Sequence, residues 1–364
     1  MKGTRAVQFS PDGSFIYNAN PGRVIFGNGT IAQLPEEIAR LGLKRVLTLS
    51  TPAQAGDAAA IAAMLGHRSA ALFSGAAMHT PAEVTEQAMA LVAAEKIDGL
   101  LAIGGGSTIG LGKAIAWRTD LPQVVLPTTY AGSEMTPILG ETAGGTKTTR
   151  SDPRILPEVV LYDVDLTMSL PAAMSGTSGI NAMAHAIEAL YARDRNPVIS
   201  LMALEGIAAL NRALPAIADD PGDCAARSAA LYGAWLCGGC LGAVGMALHH
   251  KLCHVLGGSF DLPHAETHTV MLPHALAYNM VAVPDVVAAL GPVLGPDPAQ
   301  AIYDLAGRIG AARALGALGM AETGIDEAAD RALANPYWNP RPLDRASIRD
   351  LIACAWAGEP PRAD

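Results

Sequence analysis

The chain has 364 residues, half of them apolar and 38 of them glycine, with a formal net charge of −9. That length suits two domains with a substantial buried core, and the acidic balance excludes general binding to nucleic acid or to a membrane surface. Any anionic ligand must therefore meet positive charge that is local. No uninterrupted apolar run reaches about 18 residues, so no membrane-spanning helix is expected. The opening "MKGTRAVQFSPDGSF" has no apolar core after its charged start, and no signal peptide is read there. Five sparse cysteines (Cys224, Cys237, Cys240, Cys253 and Cys354) fit free thiols in a reducing cytoplasm, the expected location.

In chain order, "RVIFG" (23–27), "RVLTLS" (45–50), "GLLAIGGG" (99–106) and "QVVLPTTY" (123–130) read as strands ending in small or polar turn residues. Between them, "TIAQLPEEIARLG" (30–42), "GDAAAIAAMLG" (56–66) and "TPAEVTEQAMALVAAEK" (80–96) carry helical periodicity. This alternation predicts a Rossmann-like α/β domain with a mostly parallel sheet. The strand signals stop near "DLTMSLP" (165–171), and the remainder of the chain is rich in Ala, Leu and Met. The expected division is an α/β dinucleotide-binding domain over 1–170 and an all-helical catalytic domain over 171–364. The cleft between two such domains is the default ligand site. The "CGGC" of Cys237 and Cys240 has no second CxxC to pair with. Its flanks predict a buried helix packed closely through small side chains, not a zinc or redox site.

Gly104, Gly105, Gly106 and Ser107 lie between a buried strand and a helix. Glycines there let a diphosphate approach the backbone and the unpaired N–H groups of the helix start. Alone that turn is a weak signal. Thr128, Thr129 and Ser133 come just after another apolar strand, where side chains face the crevice at the strands' carboxyl ends. Their hydroxyls suit the ribose, diphosphate or carboxamide of a nicotinamide cofactor. The strand ending at Ser50 and Thr51 lacks the ribose-reading acid of strict NAD sites, which predicts that NADPH is tolerated beside NADH. Ser50, His79 and Lys147 complete the candidate cofactor set.

Six of the nine histidines fall between 249 and 274. His250 and His254 share one helical face; Gly257 and Gly258 are read as breaking that helix, and a loop returns His264. His249 is read as pointing off the face, and His268 and His274 are given no partner. On an earlier helix Asn181 and His185 stand four apart. Imidazoles bind a divalent metal when neutral and act as acids when protonated. Three suffice for zinc, yet an amide at 181 lacks the charge of a carboxylate ligand.

The "GGGS" turn, "PTTYAGSE" and "HHKLCHVLGGSFDLPH" resemble the iron-containing alcohol dehydrogenase family over nearly the whole chain. That resemblance implies a dehydroquinate synthase-like architecture and a homodimer. It also implies a metal held by an Asp-x-x-x-His pair and two later histidines fourteen residues apart. His185, His250 and His264 match those histidines, His254 matches a further active-site histidine beside the nicotinamide, and Asn181 occupies the aspartate position. "FSGAAMHTP" (73–81), "SEMTPILGET" (133–142), "SGINAMAHAIEALYA" (178–192), "LHHKLCHVLGG" (248–258) and "NPYWNPRP" (335–342) look like one branch of the family. Its members reduce the C=C bond of maleylacetate, a small dianion, to 3-oxoadipate with NADH or NADPH in aromatic-compound catabolism. On this reading His254 donates the proton or meets the oxyanion, while His185, His250 and His264 form a cationic pocket for substrate, or hold a metal despite Asn181. Lys251, Arg150 and Arg341 are candidate carboxylate partners. The alternatives are a metal-dependent alcohol dehydrogenase acting on C=O, and a non-catalytic nucleotide sensor. "NPYWNPRP" is read as a rigid surface segment or a dimer contact.

Overall fold

A computed structural model describes residues 15–17, 22–144 and 146–363, with the side chains of residues 146 and 147 outside the described set. Two compact units result, Ala19–Leu170 and Pro171–Asp364. Residues 15–17 group with the helical unit.

The α/β unit contains β1 (Arg23–Gly27), α1 (Leu34–Arg40), β2 (Val46–Leu49), α2 (Ala55–Ala63), β3 (Ser69–Phe73), α3 (Ala82–Ala94), β4 (Gly99–Gly104), α4 (Gly106–Thr119), β5 (Gln123–Pro127), β6 (Ile138–Ala143), β7 (Thr146–Ser151) and β8 (Val159–Asp163). Six strands form one sheet in the order β1-β8-β5-β4-β2-β3, every neighbour parallel. Its central strands are buried on both faces, as continuous apolar runs such as "GLLAIG" require. One face packs α1 and α2 through Leu34, Ile38, Ala58 and Ile61. The other packs α3 and α4 through Ala88, Leu111 and Ile115. Because β3 and β4 flank β2 on opposite sides, the strand order reverses between β2 and β4. Open parallel sheets bind ligands at the carboxyl ends beside such a reversal.

The four expected strands are present, and the helix expected over 30–42 opens with a 3-10 turn at Thr30–Gln33. Asp163 fastens that turn by accepting from Gly29 N and Ile31 N at 3.0 and 2.8 Å. Strands β3 and β8 and the antiparallel β6–β7 hairpin are additions to the sequence reading.

The helical unit comprises α5 (Ala172–Tyr191), α6 (Pro197–Asp219), α7 (Cys224–Ala243), α8 (Leu248–Phe260), α9 (His264–Met280), α10 (Pro284–Leu294), α11 (Pro298–Arg308), α12 (Gly324–Ala334) and α13 (Arg345–Ala357). Helix α6 is long and apolar enough on average to cross a membrane, although Glu205, Asn211 and Arg212 interrupt its apolar run. In this fold it packs against α5, α7 and α10. Gly257 and Gly258 do not break α8, which runs through both to Phe260. Glycine costs a helix only about 1 kcal/mol, because it removes no hydrogen bond. The stop comes from Asp261, which turns left-handed at φ 52°, and from Pro263, which lacks an N–H.

Cys237 and Cys240 are buried in α7, as the packing reading of CGGC requires. A Cβ on Gly206 of α6 would lie 2.8 Å from the Cys237 sulfur, and one on Gly233 of α7 would lie 3.0 Å from the Gly206 carbonyl oxygen. Backbone meets backbone at this crossing. Gly233→Ala is therefore expected to destabilise the fold by about 1–3 kcal/mol through overpacking. Urea unfolding would measure it, and an unchanged midpoint would show that α6 and α7 can separate freely.

Candidate functional site

In the α/β unit the glycine turn has the expected form. Gly104 adopts φ 149°, and added Cβ atoms on Gly104 and Gly105 would collide with Thr108 Oγ1 at 2.6 Å and Thr129 Cγ2 at 2.8 Å. Gly105 precedes α4 without any side-chain cap, leaving the first-turn N–H groups for another acceptor. A Cβ on exposed Gly106 would meet nothing within 4 Å. These features fit a dinucleotide diphosphate.

The neighbouring hydroxyls are ordered by one another. Gln54 Nε2 donates to Thr128 Oγ1 at 3.0 Å, and Thr51 Oγ1 lies 3.3 Å from Gln54 Oε1. Ser50, nearly fully buried, bonds Ser74 Oγ at 2.9 Å and is not exposed to a cofactor. Thr129, Ser107 and Ser133 are partly accessible. His79 and Thr80 both have positive φ, 63° and 48°. That is costly for a β-branched residue and marks the turn as held by its surroundings. The Lys147 side chain lies outside the described residues.

Beneath Ser133 sits a group that the sequence reading missed. Lys113 of α4 is fully buried and donates to the Ser133 carbonyl, to Thr136 Oγ1 at 2.9 Å and to the Ile138 carbonyl at 3.0 Å. All three ammonium protons are used. Burial pulls its pKa down to about 7, opposed by Glu134. Burial likewise raises the Glu134 carboxyl, which accepts from Tyr162 Oη at 2.7 Å. Lys113 thereby fixes the loop that presents Ser133.

The histidines of the helical unit converge from α5, α8 and α9. Ring centroids of His185 and His250 are 5.1 Å apart, and His268 lies 5.1 Å from His250 and 4.4 Å from His264. His254 lies 6.2 Å from His250 and is exposed, with Nδ1 3.0 Å from Tyr337 Oη. Asn181 sits one turn before His185 on α5, and its buried Oδ1 has no partner among the described residues. The same holds for His185 Nδ1, His250 Nε2 and His268 Nε2. Buried polar atoms are seldom left unmatched, so four together describe a place built for something that binds.

Two expectations are corrected. His249 is not turned away: its ring stands 5.2 Å from His250, and its Nε2 is 2.9 Å from His268 Nδ1. His268 is not isolated but central, because it shares a face of α9 with His264, four residues away. Sequence reading also missed Glu188 and Tyr337. Glu188 stands three residues after His185 on α5, a spacing that could have revealed it. Its buried carboxylate accepts from Ala247 N at 2.8 Å and His249 N at 2.7 Å, and lies 2.7 Å from His250 Nδ1.

The candidate carboxylate partners fare differently. Arg341 donates to the Tyr278 and Ala363 carbonyls and stacks on the Tyr278 ring, a structural engagement. Arg150 stacks 4.0 Å from the Trp117 centroid and pairs with Glu141. Lys251 alone stays near the histidines, 5.8 Å from the Tyr337 ring that touches His254. The "NPYWNPRP" segment is largely at the surface, as expected, and is anchored to α9 where Asn339 exchanges hydrogen bonds with Asn279.

Electrostatics revise the cationic pocket. Burial, then repulsion from His250, His264 and His254, holds His185 well below the ordinary histidine range. Burial and the other histidines do the same to His249 and His268. These three rings are neutral at neutral pH. Among the described residues a divalent ion would find imidazoles and the Asn181 amide but no free anionic ligand, since the Glu188 carboxylate is engaged by two backbone N–H groups and the His250 ring. Three neutral imidazoles can hold a zinc, but without the charge of a carboxylate the set holds a divalent ion less tightly. His249, Cys253 and His268 do bring ligand atoms within 4.8 Å of one another. Yet the two imidazoles are bonded together, and burial raises the Cys253 thiol well above its usual value, keeping it protonated. That trio is core.

Two family descriptions match the chain, iron-containing alcohol dehydrogenase over residues 21–164 and the C-terminal domain of the Fe-containing alcohol dehydrogenase family over 175–356. The maleylacetate reductase of Rhizobium sp. (strain MTP-10005) is 57% identical over 347 residues, covering 95% of this chain and 99% of that protein. That of Pseudomonas knackmussii is 53% identical, covering 96% and 100%. The crystal structure of maleylacetate reductase from Agrobacterium tumefaciens superposes with a TM-score of 0.93 at 57% identity, covering 96% of this chain and 99% of that one. An iron-containing alcohol dehydrogenase from Corynebacterium glutamicum gives 0.90 at 40% identity, covering 94% and 96%.

The buried rings make stability depend on pH. Their folded pKa values lie below the unfolded value of about 6.5, so the unfolded chain binds more protons as pH falls past that value. What these rings contribute to stability is complete above about pH 6.5 and is lost as pH drops toward the folded pKa values. His274, pushed down to about 4 by burial, adds to the same trend. Urea midpoints should fall between pH 7.5 and 5.5; a flat profile would mean that the rings are protonated in the fold.

Proposed function

The chain belongs to the iron-containing alcohol dehydrogenase family, and we propose that within it the protein reduces the C=C bond of maleylacetate to 3-oxoadipate at the expense of NADH or NADPH. The observation that carries this reading is the helical-unit histidine cluster with an amide at residue 181, in a chain alike to maleylacetate reductases over 95% of its length.

Maleylacetate is a dianion whose alkene is conjugated to a ketone. The dinucleotide, cradled at Gly104, Gly105 and Gly106, supplies a hydride when bound. Addition at the carbon β to the ketone moves the alkene electron pair toward the ketone oxygen as an enolate. A proton then closes the reaction at the adjacent carbon, so one hydride and one proton saturate the bond. The protein must stabilise the oxygen and supply that proton. We assign that step to His254, a reading supported by its accessible ring and by the nitrogen paired with the Tyr337 hydroxyl. Burial raises the Tyr337 pKa, which keeps that phenol protonated as the ring's companion. The buried rings of His185 and His268 offer neutral hydrogen-bonding nitrogens at the cluster's inner wall, with His250 beside them and His264 at the edge. Lys251 supplies the local positive charge that a dianion needs on an acidic protein.

Because the donor set lacks an anion, no step is assigned to a resident metal. Exhaustive chelation of purified enzyme should leave maleylacetate-dependent NADH oxidation intact; loss restored by a divalent ion would overturn that assignment. Introducing the missing carboxylate by Asn181→Asp should raise retained divalent metal, measured by elemental analysis after dialysis. His254→Ala is expected to lower kcat by roughly 10²–10⁴-fold, the range for a lost general acid. Unimpaired turnover would assign the proton elsewhere.

A further inference from the structure

The role of His250 depends on which of its two nitrogens faces the cluster, and α8 cannot decide that by itself. Its N-cap is Ala247, which has no side chain to cap the helix. The first N–H groups of α8 are instead met from α5 by Glu188, whose Oε2 accepts from Ala247 N and whose Oε1 accepts from His249 N. Oε2 also lies 2.7 Å from His250 Nδ1. The other ring nitrogen, Nε2, is buried without a partner among the described residues. A carboxylate has no hydrogen to give, so in the pair the proton belongs to Nδ1.

We propose that Glu188 is a positioning residue that fixes His250 with its proton on Nδ1, so that Nε2 is the nitrogen presented to ligand. The proposal rests on the proposed function for what that ligand is, but not for the placement of the proton. The same carboxylate locks the start of α8, so ring orientation and helix position are set together. A glutamine cannot substitute. It has one acceptor oxygen for three donors, and its amide would set N–H against N–H. Either the helix start or the ring link must then give way. The pattern is that of an outer partner orienting an imidazole through the nitrogen away from the reaction.

Long-range ¹H–¹⁵N correlations of histidine-labelled protein read the proton directly, with His250→Gln to assign the signal. Wild-type His250 is expected with its proton on Nδ1 and Glu188→Gln without that preference. A proton confined to Nε2 in the wild type, or an unchanged tautomer in Glu188→Gln, overturns the proposal. The wild-type spectrum decides this even where the variant does not fold, and Glu188→Asp, which withdraws the carboxylate by one methylene, serves as a second variant. In kinetics, Glu188→Gln should lower kcat for maleylacetate about 10–100-fold with KM for NADH unchanged. In a His250→Ala background the same change should have little further effect. Independent, multiplying losses would show that Glu188 only supports the fold, which overturns its action through His250. Absence of any maleylacetate reduction by wild type would instead overturn the functional reading and leave the tautomer result standing.

Discussion

A carboxylate without access to water must be matched by donors, and in the helical unit that constraint falls on Glu188. Its two oxygens meet two backbone N–H groups and one imidazole, all at 2.7–2.8 Å. Through those bonds α5 dictates where α8 begins and how His250 is turned. His249 then sits at the preceding residue, inside the unit and bonded to His268 of α9. Three helices are registered by one side chain and a chain of rings, and a cluster of unmatched nitrogens is the consequence. Breaking one member would leave others buried and unpaired, which costs more than the bond itself.

The α/β unit solves a parallel problem with the opposite charge. Lys113 is buried among carbonyl and hydroxyl oxygens and holds the 133–138 loop against α4. Glu134 beside it is bonded to Tyr162 of β8. The loop that carries Ser133 is therefore tied both to the helix after the glycine turn and to the middle of the sheet. The glycines provide room; the buried pair provides rigidity. Both units thus use a buried charged residue to aim neutral polar groups, and in neither is the charged group itself placed to meet ligand.

Much of this was legible in the sequence. The four strongest strands announced themselves as apolar runs ending in turn residues, and the glycine turn lay where a strand gives way to a helix. Strand β8 escaped because "VVLYD" comes after a hairpin without the helical spacer that marks the other parallel strands. The histidines at 185, 250, 254 and 264 could be selected by spacing. His249 and His268 could not, since contact between α8 and α9 depends on a turn at Asp261 that two preceding glycines disguised. Protonation was the least legible property. Imidazoles that look cationic in the bare sequence become neutral once buried beside one another. Glu188 was passed over because a glutamate on a helix is usually a solvated face, and its burial emerges only when α8 lies against it.

The reaction is tested most directly by where the hydride goes. Maleylacetate would be reduced with NADH deuterated at the transferring position, and the product examined by ¹H and ²H NMR. Deuterium on the carbon β to an intact ketone is the expected result, since conjugate addition places it there. Deuterium on a carbinol carbon, with the alkene retained, would contradict it and make the protein a carbonyl reductase.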